Sequence, residues 1–179
     1  MDSKEHQKLV KKAAKGSNKA FEQLIKRHYE QIYRTAYLYV QNEEDALDVV
    51  QEAAYQAYRS IHSLKQPEYF MTWLTRIVIR CSTSVIKNKK NVVPLTEDIL
   101  SNLEAPAEYS KEESVQLLKA IGGLKETYRT AIILFYYYDY PIKTISDVME
   151  IPEGTVKTYL SRGKAALKKF YNGEEQNYG

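Results

Sequence analysis

Between Thr155 and Phe170 the chain carries five basic residues, Lys157, Arg162, Lys164, Lys168 and Lys169, and no acidic one. Thr155, Thr158 and Ser161 place hydroxyls among them. Cations of this kind hold phosphates, while Arg, Lys and hydroxyl side chains hydrogen-bond base edges in the major groove. That chemistry needs the groups on one face of a rigid rod. Val156, Leu160, Gly163, Leu167 and Phe170 recur at steps of four and three, which predicts a helix with one buried stripe. Lys157, Thr158, Ser161 and Arg162 fall opposite that stripe, with Lys164 and Lys168 on its flanks. The plainer alternative is a solvated helix whose lysines suit its own C-terminal dipole. Here, however, the basic face begins at the N-terminal end, where the dipole favours acids.

The element that must seat this helix lies just upstream. Ile145, Val148 and Met149 predict a short amphipathic helix, Glu150 and Ile151 break it, and Pro152 opens the next. A compact helix pair with a basic, hydroxyl-bearing outer face is a helix-turn-helix suited to duplex DNA.

Two further clusters stand in the first half. A helix opening at Glu43, Glu44 and Asp45 turns Ala46, Val49, Val50, Ala53, Ala57 and Ile61 inward, leaving Asp45, Asp48, Glu52, Gln56 and Arg59 on an exposed face. Acids near a helix start also cap it, which suffices for Glu43 and Glu44; Glu52 lies two turns on, beyond the reach of the dipole. Residues 60–68 then form a polar loop, and residues 69–86 a helix bearing Trp73, Arg76 and Arg80, with Lys87 directly after it. Cations interleaved with aromatics suit strand opening, since each unstacked base received on an aromatic is worth roughly 1–3 kcal/mol. Trp73, set among Phe70, Leu74 and Ile77, suits a core position better than a base platform.

Three segments, DALDVVQEAAYQAYRS (45–60), YFMTWLTRIVIR (69–80) and GTVKTYLSRGKAAL (154–167), occur in this order, and the chain from about residue 20 to 170 resembles the extracytoplasmic-function group of the sigma-70 family. The resemblance implies a transcription initiation factor that binds core RNA polymerase and directs it to promoter DNA. It implies core binding through Asp45, Asp48, Gln51, Glu52, Gln56 and Arg59. Recognition and melting of the −10 element, with a base flipped under the loop, is implied for Ser63, Leu64, Lys65, Gln66, Trp73, Arg76, Ile77, Val78 and Arg80. Reading of the −35 element is implied for Thr155, Lys157, Thr158, Ser161, Arg162, Lys164 and Lys168. It also implies an anti-sigma partner, often membrane-anchored. The sequence departs from the family pattern at Leu64, where an aromatic is common, and at Arg80, which replaces a frequent Asn. Lys143 and Thr144 stand where two acids are usual. Gly163 replaces a usual Ala, at about 1 kcal/mol of helix propensity unless another helix approaches closely.

Composition sets the frame for these sites. The 179 residues can hold two small domains, and 7 Gly and 5 Pro with long periodic segments between them predict an all-α fold without a sheet. Residues 1–90 carry a net charge of +6, residues 91–153 of −6 and residues 154–170 of +5. Periodicity is lost over residues 91–110, which hold Pro94, Pro106 and scattered acids. This divides the chain into a first helical domain at 1–90, an acidic flexible linker at 91–110 and a second domain at 111–179. In the resembled family the connector threads into polymerase, a channel that Glu97, Asp98, Glu104 and Glu108 would suit; a solvated tether needs only their polarity. Within the second domain, Ala131, Ile132, Leu134 and the aromatic run Phe135–Tyr138 read as core of a supporting helix.

No run approaches the ~18 apolar residues of a membrane span, and the first 19 residues are too polar for a signal peptide, so no membrane insertion is expected. The single Cys81 fits a reducing cytoplasm, and His6, His28 and His62, scattered without cysteine partners, argue against a zinc site. No phosphate-binding loop or nucleophile motif is present, so the reading is of a non-enzyme without cofactor or metal. A response-regulator-type activator also carries a TVK-plus-leucine recognition helix, but would need an upstream sensing domain whose strands residues 1–90 lack. A helical anti-sigma or adaptor protein would have no use for the basic face.

Overall fold

A computed structural model describes residues 3–88 and 111–171. Among them every regular element is helical and there is no strand. The chain divides into two compact units, Met1–Tyr37 with Glu43–Lys90, and Leu38–Asn42 with Asn91–Gly179. The expected linker at 91–110, with Glu97, Asp98, Glu104 and Glu108, lies outside the described residues.

The first unit contains α1 (Ser3–Ala14), most of α2 (Asn18–Val40), α3 (Glu43–Ser60) and α4 (Phe70–Asn88). A tight turn separates α1 from α2. Gly16 adopts φ +97°, its N–H donates to the Ala13 carbonyl at 2.9 Å, and the Ser17 N–H donates to the Lys12 carbonyl at 3.1 Å. That is the paired ending in which glycine alone meets no steric penalty. The Ser17 hydroxyl then accepts from the Ala20 N–H at 3.3 Å, capping α2. Along α2, Phe21, Leu24, Ile32, Ala36 and Tyr37 are buried, and Tyr29 is exposed.

The heart of this unit is the pairing of α3 with α4. Ala46, Val49, Val50, Ala53 and Ala57 are buried on α3, and Phe70, Leu74, Ile77, Val78 and Cys81 on α4. Small residues on α3 let the two backbones approach closely. Burial pushes the Cys81 thiol up to about 11, with the Glu52 charge acting in the same direction, so it stays protonated at neutral pH.

The second unit contains α5 (Lys111–Gly123), α6 (Glu126–Ile132), a π-helical turn (Ile133–Tyr137), α7 (Ile142–Met149) and α8 (Glu153–Tyr171). Its core is Ala131–Leu134 on α6 and the π turn, Ile145 and Val148 on α7, and Val156, Leu160, Gly163 and Ala166 on α8. Arg129 is held inside by donating to the Gly122 and Leu124 carbonyls, and burial lowers the pKa of its guanidinium.

Three apolar expectations here are corrected. In the π turn the Tyr138 N–H donates to the carbonyl five residues back, at Ile133, and this wider winding shifts the register, so Tyr136 and Tyr137 are 58% and 37% exposed rather than core. Phe170, at the end of the α8 stripe, is 40% exposed, and Ala166 takes the buried place near that end. Pro152 precedes α8 rather than opening it, its carbonyl accepting from the Thr155 and Val156 N–H groups at 2.9 and 3.1 Å.

Candidate nucleic-acid interface

The α7–α8 pair is joined by a turn that the sequence makes at some cost. Glu150 closes α7 with φ +57° and ψ +42°, a left-handed conformation that favours glycine or asparagine. The Ile151 N–H returns to the Ser146 carbonyl at 3.2 Å, and the Ser146 hydroxyl donates to the Ile151 carbonyl. Ser146, Glu150 and Ile151 therefore set the angle at which α8 leaves α7.

On α8 the expected face is present. Lys157, Thr158, Ser161, Arg162, Lys164, Lys168 and Lys169 are exposed, and Thr155 is half-buried. Thr158 donates its hydroxyl proton to the Gly154 carbonyl at 3.0 Å, which leaves its oxygen as an outward acceptor. The opposite face is anchored to α6. A Cβ built on Gly163 would lie 2.9 Å from Cγ1 and 3.2 Å from Cδ1 of Ile132, so α6 packs directly against this glycine. Tyr128 and Tyr159 add a ring contact at 5.5 Å. The close approach that the glycine needed to justify its helix cost is there.

The first unit presents two separate surfaces. On α3, Asp48, Gln51, Glu52, Gln56 and Arg59 are exposed, and the Gln56 amide donates to the Glu52 carboxylate at 2.7 Å. Asp45 departs from the expectation: it is 5% exposed, because it precedes Val49 and Ala53 by four and eight residues and shares their buried stripe. Sequence reasoning also missed Tyr55, 56% exposed with the Arg59 guanidinium 5.7 Å from its ring centroid. Its offset of two from Ala53 and Ala57 marks it as outward-facing.

Between α3 and α4 the loop is made of two 3-10 turns, Ile61–Ser63 and Pro67–Tyr69. Buried Ile61 and Phe70 pin its ends. Leu64 and Gln66 are extended, the latter because it precedes Pro67. Ser63, Lys65 and Gln66 are exposed, and Leu64 is half-buried. Beyond the loop Trp73 and Arg76 are half-buried and Arg80 is exposed. Trp73 rests on Phe70 at 5.8 Å, so it is partly core and partly surface. Ile77 and Val78 do not reach this surface. Ile77 is 9% and Val78 0% exposed, since they follow Leu74 by three and four residues on the buried face of α4. Tyr69, 55% exposed at the end of the loop, is an outward aromatic that sequence reasoning had used only as a helix start.

Family models match both halves: sigma-70 region 2 over residues 24–91 and sigma-70 region 4 over residues 114–167. The chain is 31% identical over 176 residues to the ECF RNA polymerase sigma factor SigW of Bacillus subtilis strain 168, spanning 90% of this chain and 94% of SigW. This chain belongs to the extracytoplasmic-function sigma factors of the sigma-70 family. It is therefore a transcription initiation factor, a promoter-directing partner of RNA polymerase. The sigma-factor fold is shared with CnrH, solved in complex with the cytosolic domain of CnrY (TM-score 0.72, 21% identity, 95% of this chain and 99% of that one). It is shared as well with RpoE of Bartonella quintana, solved with the anti-sigma factor NepR (TM-score 0.66, 20% identity, 88% of this chain and 99% of that one). Within this sigma factor most of α2, with α3, α4 and the loop between them, lies in the region 2 match, and α6–α8 lie in region 4.

Two absences and one contact complete the description. Among the described residues no group of three or more His, Cys, Asp or Glu side chains is placed to hold a metal ion, and no helix is long and apolar enough to cross a membrane. His6 and His28, which look scattered in the chain, come together, their Nε2 atoms 3.0 Å apart.

Proposed function

We propose that region 4 reads the −35 element with α8, entering the major groove by its N-terminal half. Lys157, Thr158, Ser161 and Arg162 meet base edges, and Thr155, Lys164 and Lys168 meet phosphates. The observation that carries this reading is the continuous exposed face of α8, basic and hydroxyl-bearing, with no acid from Thr155 to Phe170. Arg and Lys pair best with guanine, each good pairing discriminating by about 1–3 kcal/mol.

Region 2 has two tasks in this account. Asp48, Gln51, Glu52, Gln56 and Arg59, joined by Tyr55, dock on core RNA polymerase. Exposed charge around an outward aromatic is the composition of a protein interface with a polar rim. Ser63, Leu64, Lys65 and Gln66, with Trp73, Arg76 and Arg80, receive the −10 element and stabilise its open strand; Tyr69 adds a platform for an unstacked base. Domain 1–90 and domain 111–179 act through the connector at 91–110, whose acids suit a basic channel in polymerase. The protein works in the cytoplasm as a non-enzymatic subunit without cofactor. An anti-sigma protein controls it by binding, and the sigma factor RpoE of Bartonella quintana was solved in complex with such a protein, NepR; a membrane anchor on that partner fits the family.

The experiment is run-off transcription with core polymerase over a genomic promoter library. The expected result is a set of starts sharing one −35 and one −10 sequence. Starts without a shared −35 sequence, or none at all, overturn the reading.

A further inference from the structure

We propose that the N-terminal helix α1 is a brace for the −10 loop, and that His6 and His28 are the positioning pair that fastens it; this rests on the assignment of the loop to −10 DNA. Helix α1 lies outside the residues matched by the region 2 model, which begin at 24. It is nonetheless built into region 2, with Val10 and Ala13 buried.

Helix α1 packs against both 3-10 turns of the loop. The bonds that shape the loop are local: the Leu64 N–H to the Ile61 carbonyl at 3.1 Å, the Tyr69 N–H to the Gln66 carbonyl at 3.1 Å, and the Ser63 hydroxyl to the Ser60 carbonyl at 2.7 Å. Local bonds set its shape. The direction in which the loop presents Ser63–Gln66 is set by the surface behind it, and α1 supplies that surface.

The fastening is a junction of three rings from three helices. His6 on α1 and His28 on α2 meet edge to face, centroids 5.2 Å apart and planes at 86°, with Nε2 atoms 3.0 Å apart. Both rings also lie against Phe70, at 5.5 and 5.7 Å. Phe70 is fully buried and is the first residue of α4, directly after the turn Pro67–Tyr69. One Nε2 carries the proton and donates it to the bare Nε2 of the other ring, so the two imidazoles hold opposite tautomers and no charge. Burial and the Arg27 charge both oppose protonation, which keeps the bond intact at neutral pH. A group that must meet DNA within a fraction of an ångström depends on such a support, although the support touches no DNA.

The test uses holoenzyme reconstituted from full-length chain and core polymerase. The readouts are core affinity, promoter opening on duplex DNA, and opening on the same promoter with a pre-melted −10 segment. His6→Ala and His28→Ala are expected to leave core affinity within about twofold and to slow duplex opening roughly tenfold, the size of a lost part-buried hydrogen bond. Pre-melted DNA is expected to restore them. His28→Gln keeps a donor and an acceptor near the same place and is expected to recover most of the opening rate. Unchanged duplex opening in both alanine variants overturns the brace, as does an equal defect on pre-melted DNA, which marks a general folding role. Wild-type holoenzyme that opens no promoter overturns the −10 assignment itself, a result distinct from failure of the brace.

Discussion

The face of α8 and the loop between α3 and α4 are both assigned to promoter DNA, and they are held in different ways. Helix α8 is a 19-residue rod whose buried stripe reaches contact with α6 at Gly163, and whose entry angle is locked by the αL turn at Glu150. The loop has two single 3-10 turns, an extended stretch between them, buried anchors only at its ends, and helix α1 behind. The difference matches the two forms of DNA. A duplex groove has fixed dimensions and is best met by a rigid rod. A melted strand offers splayed bases and a flexible backbone, met by a short adaptable surface.

That comparison breaks most easily at Gly163. Gly163→Leu forces a side chain into the place of Ile132 and is expected to destabilise region 4 by about 3 kcal/mol, read by urea denaturation, with loss of −35 binding. Stability within experimental error of wild type would mean that α8 is not clamped.

Next in size are the DNA-facing residues themselves. Arg162→Ala is expected to relax preference at particular −35 positions by about 1–3 kcal/mol, measured with a −35 mutant library. Lys168→Ala should weaken all sequences alike and lower the salt dependence by roughly one phosphate contact. A base-specific defect at Lys168 would show that α8 enters the groove by its other end.

The loop side is probed by acid. His28 is held down to about 4, chiefly by burial, and His6 is lowered for the same reason, whereas both titrate near 6.5 when unfolded. A depressed folded value means that the unfolded chain takes up protons first. Region 2 therefore keeps full stability above pH 6.5 and loses it as pH falls towards 4. After discounting for solvent screening of a half-exposed pair, the loss is about 1–2 kcal/mol. Denaturation as a function of pH, in wild type and His28→Gln, checks this; equal slopes in the two proteins would contradict it. The smallest effect belongs to the helix-turn-helix corner, where Glu150→Gly should raise thermal stability by about 1 kcal/mol by relieving the left-handed backbone.

Much of this architecture was legible because helical period is a strong signal. The stripes on α3 and on the first three turns of α8 follow from spacing alone, and so does the outward set from Lys157 to Lys168. Asp45 was misplaced because three acids in a row look alike in composition, and only the four-residue step to Val49 separates the buried one. Ile77 and Val78 were placed by analogy of position against the evident stripe of Leu74, and the stripe prevailed. Tyr136 and Tyr137 escaped because a π turn breaks the period on which the reading depends. The meeting of His6 with His28 joins different helices across 22 residues, which no local pattern records.

The two surfaces are expected to read a promoter together only when polymerase sets their spacing. Fluorescence anisotropy with a promoter duplex and a scrambled duplex, using the free chain and then the chain with core polymerase, tests it directly, with permanganate reactivity of −10 thymines as the report on melting. The account predicts weak binding by the free chain with at most about tenfold preference for the promoter. Core polymerase should bring specific binding and reactive thymines. Tight, sequence-specific binding by the free chain, unchanged by core polymerase and without reactive thymines, would contradict it and identify an activator in place of an initiation factor.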